Sequence, residues 1–241
     1  MPLIIMVCLN PFMPVWAAQP VLVINDTNAE PYTSKDGTGY LNFIIDKVSR
    51  EAGIQISLQR QPPERGLFNA NEGLIDGDLT RIKGLSSLYS NLVRVDEKLL
   101  DWNFSAFSMN ESYLDDLSLM ENQSVGYIKG WKIYENKTKK FKNTVIAKNP
   151  EQLFRLLSLG RVDIVLYERW QGLAMIKKLG LQRQKIYIAP IETKEMFIYL
   201  NKKHHKLASK ISFILMSLKS QGLYDKAYKN LLLPYRVVEN K

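Results

Sequence analysis

Three residues repeat at one interval along this chain. Glu64 and Glu151, Gly73 and Gly160, and Asp76 and Asp163 all stand 87 positions apart. Around each set the order is the same: a helical stretch, a glycine, one free position, Ile or Val, the aspartate, and an apolar run. Glycine accepts the left-handed backbone that ends a helix, and a short apolar run bounded by turn residues reads as a buried strand. A helix fed into a strand twice, at matched spacing, points to α/β layering in two similar halves. Helix–glycine–strand units resemble one another in any α/β protein. Three matches at a common offset favour duplication over that simpler reading.

The rest of the chain extends the pattern. Val21-Leu-Val-Ile24 is a strand stopped by Asn25-Asp26, and a turn-rich loop follows through Asn28, Pro31 and Tyr32 to Asp36-Gly-Thr-Gly39. Residues 40–53 make a helix with Leu41, Ile44, Ile45 and Val48 on one face. Residues 54–58 are a strand, Pro62-Pro63 opens a helix that ends at Gly73, and residues 74–79 are a strand. In the second half, strands are expected over 125–128, 161–167 and 185–189. Asn149 caps a helix that begins at Pro150 and ends at Gly160. A last strand over 196–200 precedes a lysine-rich helix, about 206–220, stopped by Gly222. The aromatic stretch 100–109 joins the halves, so the chain crosses between them twice, as a two-strand hinge.

Composition narrows the class. With 33 basic and 24 acidic residues, the net charge of +9 admits nucleic acid, an anionic surface or acidic ligands. Residues 1–17 are uncharged and end Val15-Trp16-Ala17, small at the −1 and −3 positions of a signal-peptidase site. Pro2, Pro11 and Pro14 break this stretch too often for a membrane span. An exported, periplasmic chain with a cleaved leader is therefore expected, and nucleic acid is not. Cys8 is the only cysteine, and Val7 before it does not suit a lipoprotein site. Cleavage would leave a cysteine-free chain, fitting an oxidising compartment. His204-His205 lies in a basic turn without nearby carboxylates in sequence, so no metal site is expected. Lys137, Lys139, Lys140 and Lys142 read as a solvated run. No phosphate loop or nucleophile elbow is present.

The motifs together resemble the periplasmic solute-binding proteins of the polar amino acid type. These are the opening strand with Pro31-Tyr32 and Gly39-Tyr40, Gly73-Leu-Ile-Asp76-Gly, Val125-Gly-Tyr-Ile-Lys-Gly130, and Gly160-Arg-Val-Asp-Ile-Val-Leu-Tyr-Glu168. Glu64-Arg65, Asp76-Gly-Asp-Leu-Thr-Arg81 and Asn91-Leu-Val-Arg-Val95 are similar to a variant group of that family. The resemblance implies an α/β, bilobal type II periplasmic-binding fold with two α/β lobes and a two-strand hinge. Lobe 1 would comprise residues 18–105 and 193–241, and lobe 2 residues 106–192.

Ligands of open α/β sheets sit beyond the carboxyl ends of the strands. That rule selects Asn28, Tyr32, Asp78, Arg81, Trp131 and Glu168, with Trp102 and Ser105 from the hinge. Arg65 joins them because a cation opening a helix is electrostatically unfavourable. The resemblance assigns the ammonium contact to the acid five residues after the second aspartate, which is Glu168. Its carboxylate arginine would stand near position 89, which is Tyr89 here. Arg81, five after Asp76, lies at the offset of Glu168 and is expected to face it across the cleft. Tyr32 and Trp131 are candidates for stacking. Asp76 and Asp163 are expected to be structural, accepting backbone N–H bonds.

The expected function is closure on a small polar, amino-acid-like or organic-acid solute for ABC-type uptake or sensing. A membrane permease or sensor kinase would be the partner of a monomeric, cofactor-free protein. The alternative is an enzyme of cyclohexadienyl dehydratase type. On the first reading, Arg81→Ala would abolish ligand binding and leave the apo protein folded.

Overall fold

The computed structural model describes residues 21–238, so the expected leader over residues 1–17 lies outside the described residues. The first half runs β1 (Val21–Asn25), α1 (Tyr40–Ala52), β2 (Gln55–Gln59), α2 (Pro63–Asn71), β3 (Gly77–Ile82) and β4 (Leu92–Arg94). β5 (Leu100–Ser108) carries the chain into α3 (Leu117–Met120), β6 (Ser124–Ile128), α4 (Lys132–Lys137), β7 (Asn143–Ala147), α5 (Pro150–Ser158), β8 (Ile164–Glu168) and α6 (Arg169–Lys178). β9 (Tyr187–Asn201) returns it to α7 (His205–Ser220) and α8 (Leu223–Ala227). The strands form one sheet in the order β2-β1-β3-β9-β5-β8-β6-β7, with β4 also on β9. This is the mixed α/β, type II periplasmic-binding architecture. Among the described residues, no helix is long and apolar enough to cross a membrane.

The 87-residue interval is built into the backbone. α2 and α5 have the same length, and both carry proline in the first turn. Leu74 N–H bonds Asn69 O at 2.9 Å, as Arg161 N–H bonds Leu156 O at 2.9 Å. Each aspartate then clasps its central strand in the same way. Asp76 donates N–H to Val23 O and accepts Val23 N–H on its carboxylate, at 2.7 and 2.9 Å. Asp163 does so with Ser124, at 2.9 and 2.9 Å. The structural role expected of both aspartates is thus observed.

Several boundaries differ from expectation. The strand expected over 74–79 begins only at Gly77, and that expected over 161–167 begins at Ile164. The residues leading in are held by the preceding helix end and the aspartate clasp, so both aspartates precede their strands. The two strands expected over 185–189 and 196–200 are parts of one strand, β9. Its middle, Pro190 to Glu195, is polar because it is the crossing segment, paired with β5. That pairing is irregular between Phe104 and Ser105, where Ile191 is passed over. The segment after α8 packs back on the second half: the Tyr228 ring lies edge-on to Trp170 of α6, with centroids 5.5 Å apart.

Candidate functional site

The carboxyl end of β1 meets β3 in a buried polar cluster, with Asn25 paired in register with Asp78. Asp78, with no exposed surface, receives both arms of the Arg81 guanidinium at 2.8 and 2.7 Å. It also accepts the Asn25 side-chain amide at 2.8 Å. Arg81 donates further to Pro63 O at the start of α2, at 2.9 Å. Burial raises the Asp78 carboxyl above its ordinary value, and the Arg81 charge opposes that rise.

Asn25 reaches Asp78 because α2 presents Gly66 beside it. A Cβ on Gly66 would lie 1.9 Å from the Asn25 amide nitrogen. The second half solves the same close approach in reverse. Leu153 stands on α5 at the position of Gly66, and Gly126 on β6 faces it, its absent Cβ 2.9 Å from the leucine. Gly66→Ala is expected to push Asn25 off Asp78 and destabilise the protein by about 1–3 kcal/mol, read as a lower urea midpoint. An unchanged midpoint would show that Asn25 does not depend on this approach.

Asn28 belongs to the same polar cluster. It is fully buried, and its backbone N–H and side-chain amide both donate to Asp26, at 2.9 and 2.6 Å. Its side-chain oxygen accepts from Thr80 at 3.3 Å, and its carbonyl accepts from Arg60.

Glu168 ends β8 and caps α6. One oxygen accepts Gln171 N–H at 2.9 Å. The other accepts the hydroxyl of Tyr32, which comes from the first half, at 3.0 Å. Burial pushes the Glu168 carboxyl up to about 7, against the pull of these donors and of the Asn103 and Trp170 backbone amides.

Rings enclose this contact. Tyr32 stacks on Trp102 at 5.5 Å, and Trp102 meets Trp131 edge-on at 6.2 Å. Trp131 stacks on Tyr134 at 5.6 Å and leans on Tyr167 at 4.9 Å. The Tyr167 hydroxyl donates to the Gln171 side-chain oxygen at 2.9 Å, which closes the circuit at Glu168.

The expected site residues therefore divide. Tyr32, Trp131 and Glu168 come together. Ser105 is buried on β5 beside them, paired in register with Tyr167. Asp78, Arg81 and Asn28 form the neighbouring polar cluster. Arg81, expected to face Glu168, is engaged by Asp78 and Pro63 O, while Glu168 is engaged by Tyr32 and Gln171. Five residues past the aspartate lies inside a strand in one half, and at a helix cap in the other. Arg65 is exposed on α2, outside both clusters. The His204 ring, read from sequence as part of a solvated turn, bonds Asp76 at 2.6 Å and so braces the clasp. Phe104, Tyr134, Gln171 and Arg60 were not indicated by the sequence. Their only signal was position: Arg60 directly follows β2, and Gln171 stands three residues into the helix that Glu168 caps.

No family model matches the chain. An uncharacterized protein of Shewanella oneidensis is 24% identical over 199 residues, covering 78% of this chain and 74% of that one. Three solved structures share the fold. A histidine kinase sensor domain with similarity to periplasmic binding proteins matches with a TM-score of 0.70 at 16% identity, over 89% of this chain and 96% of its own. An ancestral arginine-binding protein bound to arginine matches at 0.71 and 18%, over 89% and 99%. An ancestral amino acid-binding protein, a precursor of cyclohexadienyl dehydratase, matches at 0.69 and 14%, over 88% and 95%. The chain thus has the fold of the periplasmic amino-acid-binding proteins.

Proposed function

We propose that the protein is an exported solute-binding protein that closes on a small polar, amino-acid-like or organic-acid guest and presents it to a membrane permease or sensor kinase. The observation that carries this reading is the Tyr32–Glu168 bond. It joins the carboxyl-end loops of the two halves inside a shell of rings, where such folds hold ligands. Lobe boundaries at residues 105/106 and 192/193 fit it, because they flank the irregularity in β5–β9 pairing. Closure about such a hinge is the expected motion, and guest affinity biases it. A micromolar guest needs roughly 8 kcal/mol of binding free energy. At a hundredfold excess over its Kd it should stabilise the folded state by about 2.7 kcal/mol. A thermal-shift screen of amino acids and organic acids is expected to raise the melting midpoint with one chemical class. No shift across the set would overturn the reading.

One observation favours an enzyme as the second reading. A buried carboxyl held near 7 is suited to giving and taking a proton at neutral pH. Turnover of prephenate- or arogenate-like substrates, lost in Glu168→Gln, would establish it.

A further inference from the structure

The circuit around Glu168 contains polar atoms that the protein itself leaves unanswered. Trp102 Nε1 and Gln171 Nε2 are buried N–H donors with no acceptor in the described structure. The Tyr134 hydroxyl lies against the Ser105 backbone amide and has no acceptor for its own proton. All three side chains are more than nine-tenths buried. A buried donor without an acceptor is costly, and three of the seven unpartnered buried side-chain polar atoms among the described residues belong to this one shell. They are linked by contact, since Trp131 touches the rings of Trp102, Tyr134 and Tyr167, and Tyr167 bonds Gln171. Trp131 is the half-buried member of this shell, and the other members are buried.

The acceptor side is already full. Both Glu168 oxygens take protein donors, and the Asp78 carboxylate is paired with Arg81. A cationic guest would find no free carboxylate here. A zwitterion would find no free guanidinium in Arg81.

Resting on the solute-binding reading, we propose that this shell takes a flat, unsaturated or aromatic carboxylate. Its oxygens accept from Trp102 Nε1, Gln171 Nε2 and the Tyr134 hydroxyl, and its planar body lies against the indole of Trp131. No ammonium group is required. Burial raises the Glu168 carboxyl, which lessens its repulsion of an anion placed beside it. Neutral donors can hold an anion in a low-dielectric site without a countercharge, since each charge-assisted bond is stronger there than in water.

Isothermal titration calorimetry of the purified full chain tests this with benzoate and cinnamate as carboxylates, benzylamine as a cation of matching ring, and L-arginine and L-glutamine as zwitterions. Saturable binding of the carboxylates, and not of benzylamine, is expected. Trp102→Phe keeps a ring and removes the donor, and should weaken carboxylate binding about tenfold. Gln171→Met should do the same, and serves if Trp102→Phe melts early. Binding of benzylamine or of the amino acids in place of the carboxylates would overturn this inference while leaving the solute-binding reading intact. So would full carboxylate affinity in whichever variants remain folded. Silence from all five probes would overturn the inference alone; silence across the wider thermal-shift screen as well would remove both.

Discussion

Arg81→Ala is expected to lower the unfolding free energy by about 3–5 kcal/mol, the usual cost of leaving one partner of a buried ion pair behind. Asp78 would remain in the interior without its guanidinium, keeping only the Asn25 amide. Asp78→Ala should cost a similar amount, because the Arg81 side chain is only 14% exposed. The double change Asp78→Leu with Arg81→Met should be milder than the sum, since no charge is then stranded. Urea melts of the parent, Asp78→Leu, Arg81→Met and the double variant measure this cycle. Additive losses would show that the pair is not coupled. The consequence for function is direct. Failure of Arg81→Ala to bind a solute cannot be read as loss of a ligand contact, contrary to what the sequence offset suggests, until folding has been checked.

The second large effect is on pH. Glu168 titrates near 7 in the folded protein and near 4.5 when unfolded. Between these values the folded state keeps a proton that the unfolded state has released. Stability therefore falls as pH rises through this window, and the loss is complete above 7. A shift of this size corresponds to about 3 kcal/mol. Glu168→Gln should flatten the profile between pH 4.5 and 7 and be more stable than the parent at pH 8. Denaturant midpoints at half-unit steps of pH report it. A variant that keeps the parent's slope would remove Glu168 as its source. Asp76, held low by its backbone and side-chain donors, acts in the opposite sense and only in stronger acid.

The duplicated scaffold was legible because its signals are local. Prolines at 63 and 150, glycines at 73 and 160 and aspartates at 76 and 163 act within a few residues of themselves. Glu168 was legible for the same reason, lying at a fixed offset on one element. Arg81 shares the offset but not the environment: β3 continues to Ile82 and pairs with β9, whereas β8 stops at Glu168 and turns into α6. β7 escaped notice because it is an edge strand with mostly exposed side chains, lacking the apolar run of a central strand. The ring shell was legible only in part, through Tyr32, Trp102 and Trp131. Its members come from positions 32, 102, 104, 131, 134 and 167, and only the folded sheet brings them together.

The ladder between β5 and β9 carries a mechanical consequence. Five residue pairs lie before its irregularity and four after it. A ladder anchored on both sides cannot be sheared by one step, because every side chain would swap faces. On the proposed two-lobe reading, the halves would flex and twist about that point rather than glide past each other, which would keep Tyr32 and Glu168 on a single repeatable track as they part and meet.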